Sequence, residues 1–175
     1  MIESTTVACD KYYLEKIPWI IEEAFLGLSR DYIQFVRDKA ATGSLEDKKK
    51  VFYVCFNVLL ETLKMFNIVA PFISENMYQS LKERFNLEEE SITFYSWPKA
   101  DKKLINKNLE DSMFDINLIM QGIMAARDKE KINVRWPLKK ATIYVRKNNE
   151  KIVTTVEPLI NLILRQTNLK DLKFE

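Results

Sequence analysis

The chain has 175 residues and a formal net charge of +2; 47% of the residues are hydrophobic and 30% are charged. This composition is typical of a globular protein with a core of its own and excludes an intrinsically disordered chain. The sequence has no histidine, which excludes Ser–His and Cys–His nucleophile pairs and histidine metal ligands. With only 3 glycines, the chain is a poor candidate for a glycine-rich phosphate loop, and a helix-dominated fold is favoured.

The cysteines and the hydropathy pattern bear on the cellular compartment. Cys9 and Cys55 fit no metal-ligand spacing, so we expect two reduced, packed thiols of the kind found in cytosolic proteins. Charged residues interrupt every apolar stretch before it reaches the roughly 20 residues of a membrane span. The N-terminal stretch MIESTTVACDK lacks the basic-then-apolar pattern of a secretory signal. These features predict a cytoplasmic protein.

The first helical pattern extends from about Asp10 to about Ala41. Its apolar residues recur at steps of three and four, the period that places side chains along one helix face. Pro18 lies inside the pattern and either opens a second helix in its first turn or kinks a continuous one. We expect the helix to end near Gly43. The apolar face consists of Ile17, Ile21, Ala24, Leu28, Tyr32 and Phe35.

The next helix should begin at Ser44, because Asp47, three residues later, completes the sequence pattern of a capping box. The run VFYVCFNVLLETLKMFNIV that follows is apolar around most of its circumference, which predicts the central and most buried helix. Its few polar residues are spaced to share one narrow exposed strip, and they are Asn57, Glu61 and Lys64.

Two further helices are predicted on either side of a long connection. PFISENMYQSLKERF at 71–85 is helical, with Met77, Leu81 and Phe85 at four-residue steps. Residues 86–108 form the irregular connection, and long connections inside compact domains are often functional. The helix from about 109 to 129 has an apolar seam with steps of four and three, typical of helix bundles. The seam consists of Leu109, Met113, Ile116, Met120 and Ile123.

The period changes after residue 140. ATIYV at 141–145 and LKDLKF at 169–174 are strand-like, and EPLINLILRQ at 157–166 is helical. Strand, helix and strand in this order predict a small βαβ unit with parallel strands. The fold class is therefore mainly α: a bundle of about four helices at 1–130, a linker at 131–140, and a βαβ subdomain at 141–175.

Positive charge is concentrated in one segment. Residues 127–147 contain eight basic and two acidic residues, a net of +6, which leaves −4 for the other 154 residues of a chain whose total is +2. Such asymmetry is expected where a protein contacts a polyanion, although a charge run also serves as a solvated face. The basic residues are Arg127, Lys129, Lys131, Arg135, Lys139, Lys140, Arg146 and Lys147.

Four stretches of the sequence match motifs of known proteins. LSRDYIQFVRD at 28–38 resembles LSRWYIxxxRDR, APFISENMY at 70–78 resembles APFxxExxY, SITFYSWP at 91–98 resembles SVHLxxWP, and ARDKEKINVRWPL at 126–138 resembles ARxKxxIKxRWPL. Together they resemble the C-terminal anticodon-binding region of isoleucyl-tRNA synthetases of the archaeal and eukaryotic type. The last stretch separates the isoleucyl branch from the related valyl, leucyl and methionyl enzymes. Two residues depart from the pattern: Asp31 replaces the usual tryptophan, and Asn133 replaces a common lysine.

The resemblance implies a non-catalytic module of a larger ligase. The family activates isoleucine with ATP and Mg²⁺ on a domain with HIGH-like and KMSKS-like signatures, and it edits misactivated valine on another domain. A chain without histidine cannot carry the first signature, and no KMSKS-like motif is present. We therefore expect no cofactor in this domain, tRNA(Ile) and the catalytic and editing domains as partners, and a monomer.

The resemblance also suggests which side chains contact RNA, because basic groups hold phosphates while aromatic or arginine planes stack on loop bases. Arg37 either contacts RNA or forms an ion pair. Arg135 either contacts the tRNA backbone or donates a hydrogen bond to a helix C-terminus. The candidate tRNA-binding residues are Arg30, Arg37, Lys39, Arg127, Lys131, Arg135, Lys139 and Lys140.

Aromatic residues near these stretches are expected mainly to pack. Trp136 should pack the βαβ unit against the bundle, with base stacking as its alternative role. Trp97 should pack the long connection onto the bundle, Tyr78 should pack within it, and Glu75 should form a surface pair. Two rival interpretations of function remain: a helical protein-interaction module without RNA binding, and the same module from a valyl-type synthetase.

Overall fold

The computed structural model describes residues 1–145 and 151–175. These residues form two compact units, Met1–Asp101 and Lys102–Glu175. The fold is mainly helical with a small parallel sheet near the C-terminus, which confirms the predicted fold class. Within the described ranges, no helix combines the length and the apolarity that crossing a bilayer requires.

The regular elements of the first unit are all helical. A π-type segment at Gly27–Tyr32 and two short 3₁₀ turns at Leu14–Lys16 and Ile92–Phe94 connect or follow its helices. The sequence pattern did not predict its first helix. Its α-helices are α1 (Ile2–Asp10), α2 (Ile17–Leu26), α3 (Ile33–Thr42), α4 (Leu45–Phe66) and α5 (Pro71–Phe85).

Helix boundaries in this unit follow local chemistry. Pro18 lies in the first turn of α2. Of its two predicted roles, it therefore opens a separate helix and does not kink a continuous one. Gly43 ends α3 so close to the Lys39 carbonyl that a side chain at this position would clash with it. The capping box at the start of α4 is confirmed, because the Asp47 amide donates to the Ser44 hydroxyl and the Ser44 amide donates to the Asp47 carboxylate.

Burial in α4 and α5 differs from the prediction in its details. The C-terminal half of α4 is its buried part, while Phe52 and Tyr53 near its start are 62% and 71% exposed. The predicted polar strip of α4 is half-buried rather than exposed. In α5 the buried face contains Ser74 and Tyr78, and Leu81 of the predicted series packs against the same cluster, whereas Met77 and Phe85 are 39% and 50% exposed.

Two apolar clusters form the core of the first unit. Trp97 packs against one of them and donates a hydrogen bond of 2.9 Å from Nε1 to the Thr6 hydroxyl, so its predicted packing role is confirmed. Both cysteines are free and half-buried, and burial raises the pKa of both thiols. The clusters are Ala8, Ile17, Ile21 and Met65, and Leu60, Leu63, Tyr78 and Ile92.

The second unit is an α/β arrangement. The two strands pair in parallel with Ala141 opposite Leu172, and a bridge between Leu138 and Leu169 extends the pairing. The predicted βαβ order is confirmed. After a 3₁₀ turn at Lys102–Leu104, the elements are α6 (Lys107–Lys129), β1 (Ala141–Ile143), α7 (Lys151–Val156), a 3₁₀ turn (Glu157–Leu159), α8 (Ile160–Thr167) and β2 (Leu172–Phe174).

The core of the second unit explains why α6 belongs to it. One stripe of α6 packs against α7, α8 and the sheet, so α6 groups with the sheet and not, as the predicted domain boundaries had it, with the preceding helices. The stripe is rotated slightly from the predicted seam: Leu109 is 48% exposed, and Ile119 is buried. The core residues are Ile116, Ile119, Ile123, Val156, Ile163, Leu169 and Leu172.

Candidate nucleic-acid interface

Arg127 ends the buried stripe of α6 and is only 4% exposed. Its guanidinium donates hydrogen bonds to the carbonyls of Asn133 and Trp136 at 3.2 and 3.1 Å. It also donates to the carbonyls of Thr167 and Asn168 at 2.8 and 3.1 Å. The last two carbonyls lie at the C-terminal end of α8, where carbonyls lack helical partners and carry partial negative charge. Arg127 therefore joins the segment after α6 to the end of α8.

This arrangement corrects the expectation that Arg127 contacts RNA. Both terminal nitrogens of its guanidinium are occupied by carbonyls of the chain itself, and the side chain is buried. Its Nε is also buried, and it has no hydrogen-bond partner within the described part of the chain. Arg127 is a structural residue and is removed from the candidate tRNA-binding residues.

Residues 133–138 form a loop, here called the 133–138 loop, whose backbone is held from several directions. The Asn133 side chain accepts from the Arg135 amide at 2.9 Å, and the Asn133 carbonyl accepts from the Trp136 amide at 3.0 Å. Asn168, in the left-handed conformation that caps α8, donates from its side-chain amide to the Val134 carbonyl at 2.9 Å. Together with Arg127, these bonds give the loop a defined conformation.

The side chains of this loop face solvent. Arg135 is exposed, and Trp136 is 70% exposed. The prediction that Trp136 packs is therefore wrong, since the loop is held through its backbone and not through the indole. The helix-end hydrogen bonds considered for Arg135 are made instead by Arg127.

Three further basic residues flank the loop. Lys131 is exposed and has a positive φ of 55° just after α6, and Lys139 and Lys140 are exposed before β1. None of these lysines, nor Arg135, forms an ion pair with another described residue. Arg146 and Lys147, which contribute to the predicted basic segment, lie outside the described residues. We call Lys131, Arg135, Trp136, Lys139 and Lys140 the basic loop surface.

The other predicted contacts lie in the first unit. Arg30 is exposed in the π-type segment, and Arg37 and Lys39 are exposed on α3. A π-type segment has more residues per turn than an α-helix, so the seven-residue spacing of Arg30 and Arg37 does not imply a common face. Lys39 also has a local role: the Ser44 hydrogen bond lowers the pKa of Asp47 most, and the charge of Lys39 contributes to the same lowering.

Comparison with known proteins places the chain in a family. A family model described as "Anticodon-binding domain of tRNA ligase" matches residues 1–143, most of the chain and parts of both units. The chain belongs to this family. The match includes α6, the 133–138 loop and β1 of this anticodon-binding domain.

The domain is also similar to parts of archaeal isoleucine–tRNA ligases. It is 32% identical over 157 residues to that of Methanocella arvoryzae, which is 89% of this chain and 14% of the relative. It is 29% identical over 179 residues to that of Pyrococcus abyssi and 29% identical over 175 residues to that of Methanosarcina mazei. The chain therefore spans only 14–16% of the length of these relatives. These similarities confirm the resemblance and do not favour the valyl-type or interaction-module alternatives.

Sequence reasoning missed the residues that hold the 133–138 loop, the candidate interface of this anticodon-binding domain. Asn133 and Asn168 were not predicted to hold the loop, yet asparagine is the residue that most readily forms side-chain turns and tolerates a positive φ. The Asn-x-Arg-Trp spacing was a usable signal for a turn. The buried role of Arg127 had no comparable local signal, because its partners at Thr167 and Asn168 lie about forty residues further along.

Proposed function

We propose that this domain binds the anticodon stem-loop of tRNA(Ile) as part of an isoleucine–tRNA ligase. The observation that supports the proposal is the basic loop surface: four exposed basic side chains within ten residues, with no acidic residue among them. Basic side chains on an ordered backbone bind phosphates in a fixed register. The similarity to isoleucine–tRNA ligases indicates which tRNA to test first.

In this proposal the domain acts by binding and orientation. Contacts at the anticodon end hold the tRNA so that its acceptor end reaches a catalytic domain outside this chain, and the binding energy of a remote contact favours the reactive geometry. ATP and Mg²⁺, with the aminoacylation and editing steps that they serve, would belong to other domains of the longer protein. Arg30, Arg37 and Lys39 form a second candidate set, on the first unit.

The test is a gel-shift titration of the chain with transcripts of isoleucine and valine tRNA at two salt concentrations. We expect tighter binding of the isoleucine transcript and a steep loss of affinity with salt, because bound lysines release counterions from phosphates. Lys139→Ala/Lys140→Ala should weaken binding to both transcripts and reduce the logarithmic salt slope by about 0.7–0.9 for each lost phosphate contact.

Lys49→Ala/Lys50→Ala is the matched control, because it removes two adjacent exposed lysines from the start of α4. This variant should bind as the wild type does. Binding that is insensitive to salt, or equal losses in both double variants, would contradict the proposal. Equal affinity for the two transcripts would retain RNA binding but remove the assignment to isoleucine tRNA.

A further inference from the structure

Two of the three tryptophans expose most of their surface. Trp19 in α2 is 73% exposed and Trp136 in the 133–138 loop is 70% exposed, whereas Trp97 is half-buried. An exposed indole leaves a large apolar ring in water, and such rings are enriched where proteins bind partners. The two exposed rings are therefore both candidates for an interaction, and their surroundings distinguish them.

Charge separates the two sites. Around Trp19 the charge is net acidic: exposed Glu22 and Glu23 lie three and four residues after it on α2, and exposed Glu15 and Lys16 lie in the 3₁₀ turn before that helix. Trp136 instead lies among the exposed basic residues of the 131–140 segment, which contains no acid. A polyanion would be repelled at the first ring and attracted at the second.

The loop that carries Trp136 is ordered before any partner binds. The Trp136 amide donates to the Asn133 carbonyl, and the Trp136 carbonyl accepts from buried Arg127. On one side of it the Val134 carbonyl accepts from Asn168, and on the other the Leu138 amide donates to the Asn168 carbonyl. A ring on a fixed backbone loses little conformational entropy on binding, which favours affinity.

We infer that Trp136 is a stacking platform for an unpaired base of the bound RNA, with Arg135 and the flanking lysines holding the adjacent phosphates. The inference rests on the proposed function and names the contact that recognises single-stranded loop nucleotides rather than a duplex. Flat aromatic rings stack on splayed bases, and arginine planes can continue the stack. Because every base offers such a face, this contact provides affinity for an unpaired loop and not the reading of a particular base.

The test uses the full chain and a synthetic RNA hairpin with the anticodon stem-loop of tRNA(Ile). Trp136→Ala should weaken hairpin binding about 5- to 150-fold, the range measured for removal of a base–aromatic stack. Trp136→Phe should recover most of the affinity, because phenylalanine also stacks. Trp19→Ala, which removes an equally exposed indole from acidic surroundings, should bind as the wild type does.

Three readouts separate stacking from a general structural effect. The logarithmic salt slope should stay unchanged in Trp136→Ala, since no phosphate contact is lost. Binding to a duplex RNA without unpaired bases should be equal in Trp136→Ala and the wild type. Tryptophan fluorescence should be quenched by the hairpin in Trp19→Phe and remain unquenched in Trp136→Phe.

The outcomes distinguish the inference from the proposed function. A wild-type chain that does not bind the hairpin overturns the proposed function and the inference with it. A wild-type chain that binds while Trp136→Ala binds equally well overturns the inference alone. Equal losses on hairpin and duplex in Trp136→Ala also overturn it, because a lost stack cannot weaken binding to a fully paired RNA.

Discussion

The chain contains two Trp-Pro pairs in loops, and they have opposite environments. Trp97 packs against the cluster of Ala8, Ile17, Ile21 and Met65 and donates to Thr6, and Pro98 beside it is buried. Trp136 and Pro137 are both exposed. The dipeptide itself therefore does not decide whether the indole is inside or outside.

The difference lies in what holds each loop. The segment that leads to Trp97 is held near Ile92, where the Glu75 carboxylate accepts from the Ser91 hydroxyl at 2.7 Å and the Ile92 amide at 3.2 Å. Ile92 then enters the core, and Trp97 follows it onto an apolar cluster. The 133–138 loop is held by carbonyls that accept from Arg127, and no buried apolar side chain lies between residues 133 and 137. Backbone hydrogen bonds thus order the 133–138 loop and leave its side chains available for binding.

The largest expected effect comes from removing the side chain that orders the 133–138 loop. Arg127→Met should lower the free energy of unfolding by about 3–5 kcal/mol, because methionine fills the space but removes a donor from four carbonyls. The carbonyls of Asn133 and Asn168 keep the Trp136 and Leu138 amides as donors, whereas those of Trp136 and Thr167 lose the guanidinium that satisfies them. Denaturant titration followed by circular dichroism measures this change.

Arg37→Ala is the control for this substitution, because Arg37 is an exposed arginine in α3. Its effect should stay within about 0.5 kcal/mol. If Arg127→Met were as stable as the wild type, the four hydrogen bonds would not be what holds the loop, and the contrast between the two Trp-Pro pairs would lose its explanation.

Direct substitution of the two tryptophans should give unequal losses of stability. Trp97→Ala removes an indole that packs on a cluster and makes a hydrogen bond, so we expect a loss of about 2–3 kcal/mol, less than for a fully buried tryptophan. Trp136→Ala removes an exposed ring and should cost less than about 0.5 kcal/mol. Thermal unfolding of the two variants under identical conditions measures the difference, and similar losses would contradict the contrast in their packing.

Local sequence chemistry placed three helix boundaries correctly but did not identify the buried helix faces. Ser44, Pro71 and Gly43 place the ends of α3, α4 and α5 correctly, because capping and backbone restrictions act within a few residues. The predicted apolar series of α5 was Met77, Leu81 and Phe85; Leu81 packs against the buried cluster, whereas Met77 and Phe85 are 39% and 50% exposed. Tyr78 was expected to pack and does: its ring is fully buried, and its hydroxyl donates to the Glu89 carbonyl at 2.7 Å, a partner that an apolar period does not reveal.

The candidate site was predictable as a segment and not residue by residue. Charge asymmetry and the Arg-Trp-Pro-Leu motif pointed to the candidate segment. Of the five basic residues proposed as contacts between 127 and 140, four are exposed. The assignments of Arg127 and Trp136 were reversed, with the charge inside and the apolar ring outside. This reversal depends on carbonyls at Thr167 and Asn168, and sequence periodicity carries no information about such distant backbone partners.

The smallest expected effect concerns the other polar side chain that holds a loop. Burial raises the pKa of Glu75, but hydrogen bonds from Gln79, Ser91 and the Ile92 amide outweigh it, so this pKa lies below its ordinary value. Glu75→Gln should cost about 1 kcal/mol at neutral pH. Because the carboxyl group has a lower pKa in the folded chain than in the unfolded chain, its ionised form stabilises the fold at pH values above the unfolded pKa of about 4.3. This stabilisation is lost as the pH falls through the folded-state pKa.

The difference in unfolding free energy between wild type and Glu75→Gln should therefore shrink as the pH is lowered from about 5 to about 3 in urea titrations. Glu83→Gln, at an exposed position of the same helix, should leave the wild-type value nearly unchanged throughout. If the difference in unfolding free energy between wild type and Glu75→Gln stayed constant down to the lowest pH, the ionised carboxylate would not be what holds the loop that leads to Trp97. Tyr78 would then be the main attachment of the loop that leads to Trp97. An ionised side chain would order only the 133–138 loop, through Arg127.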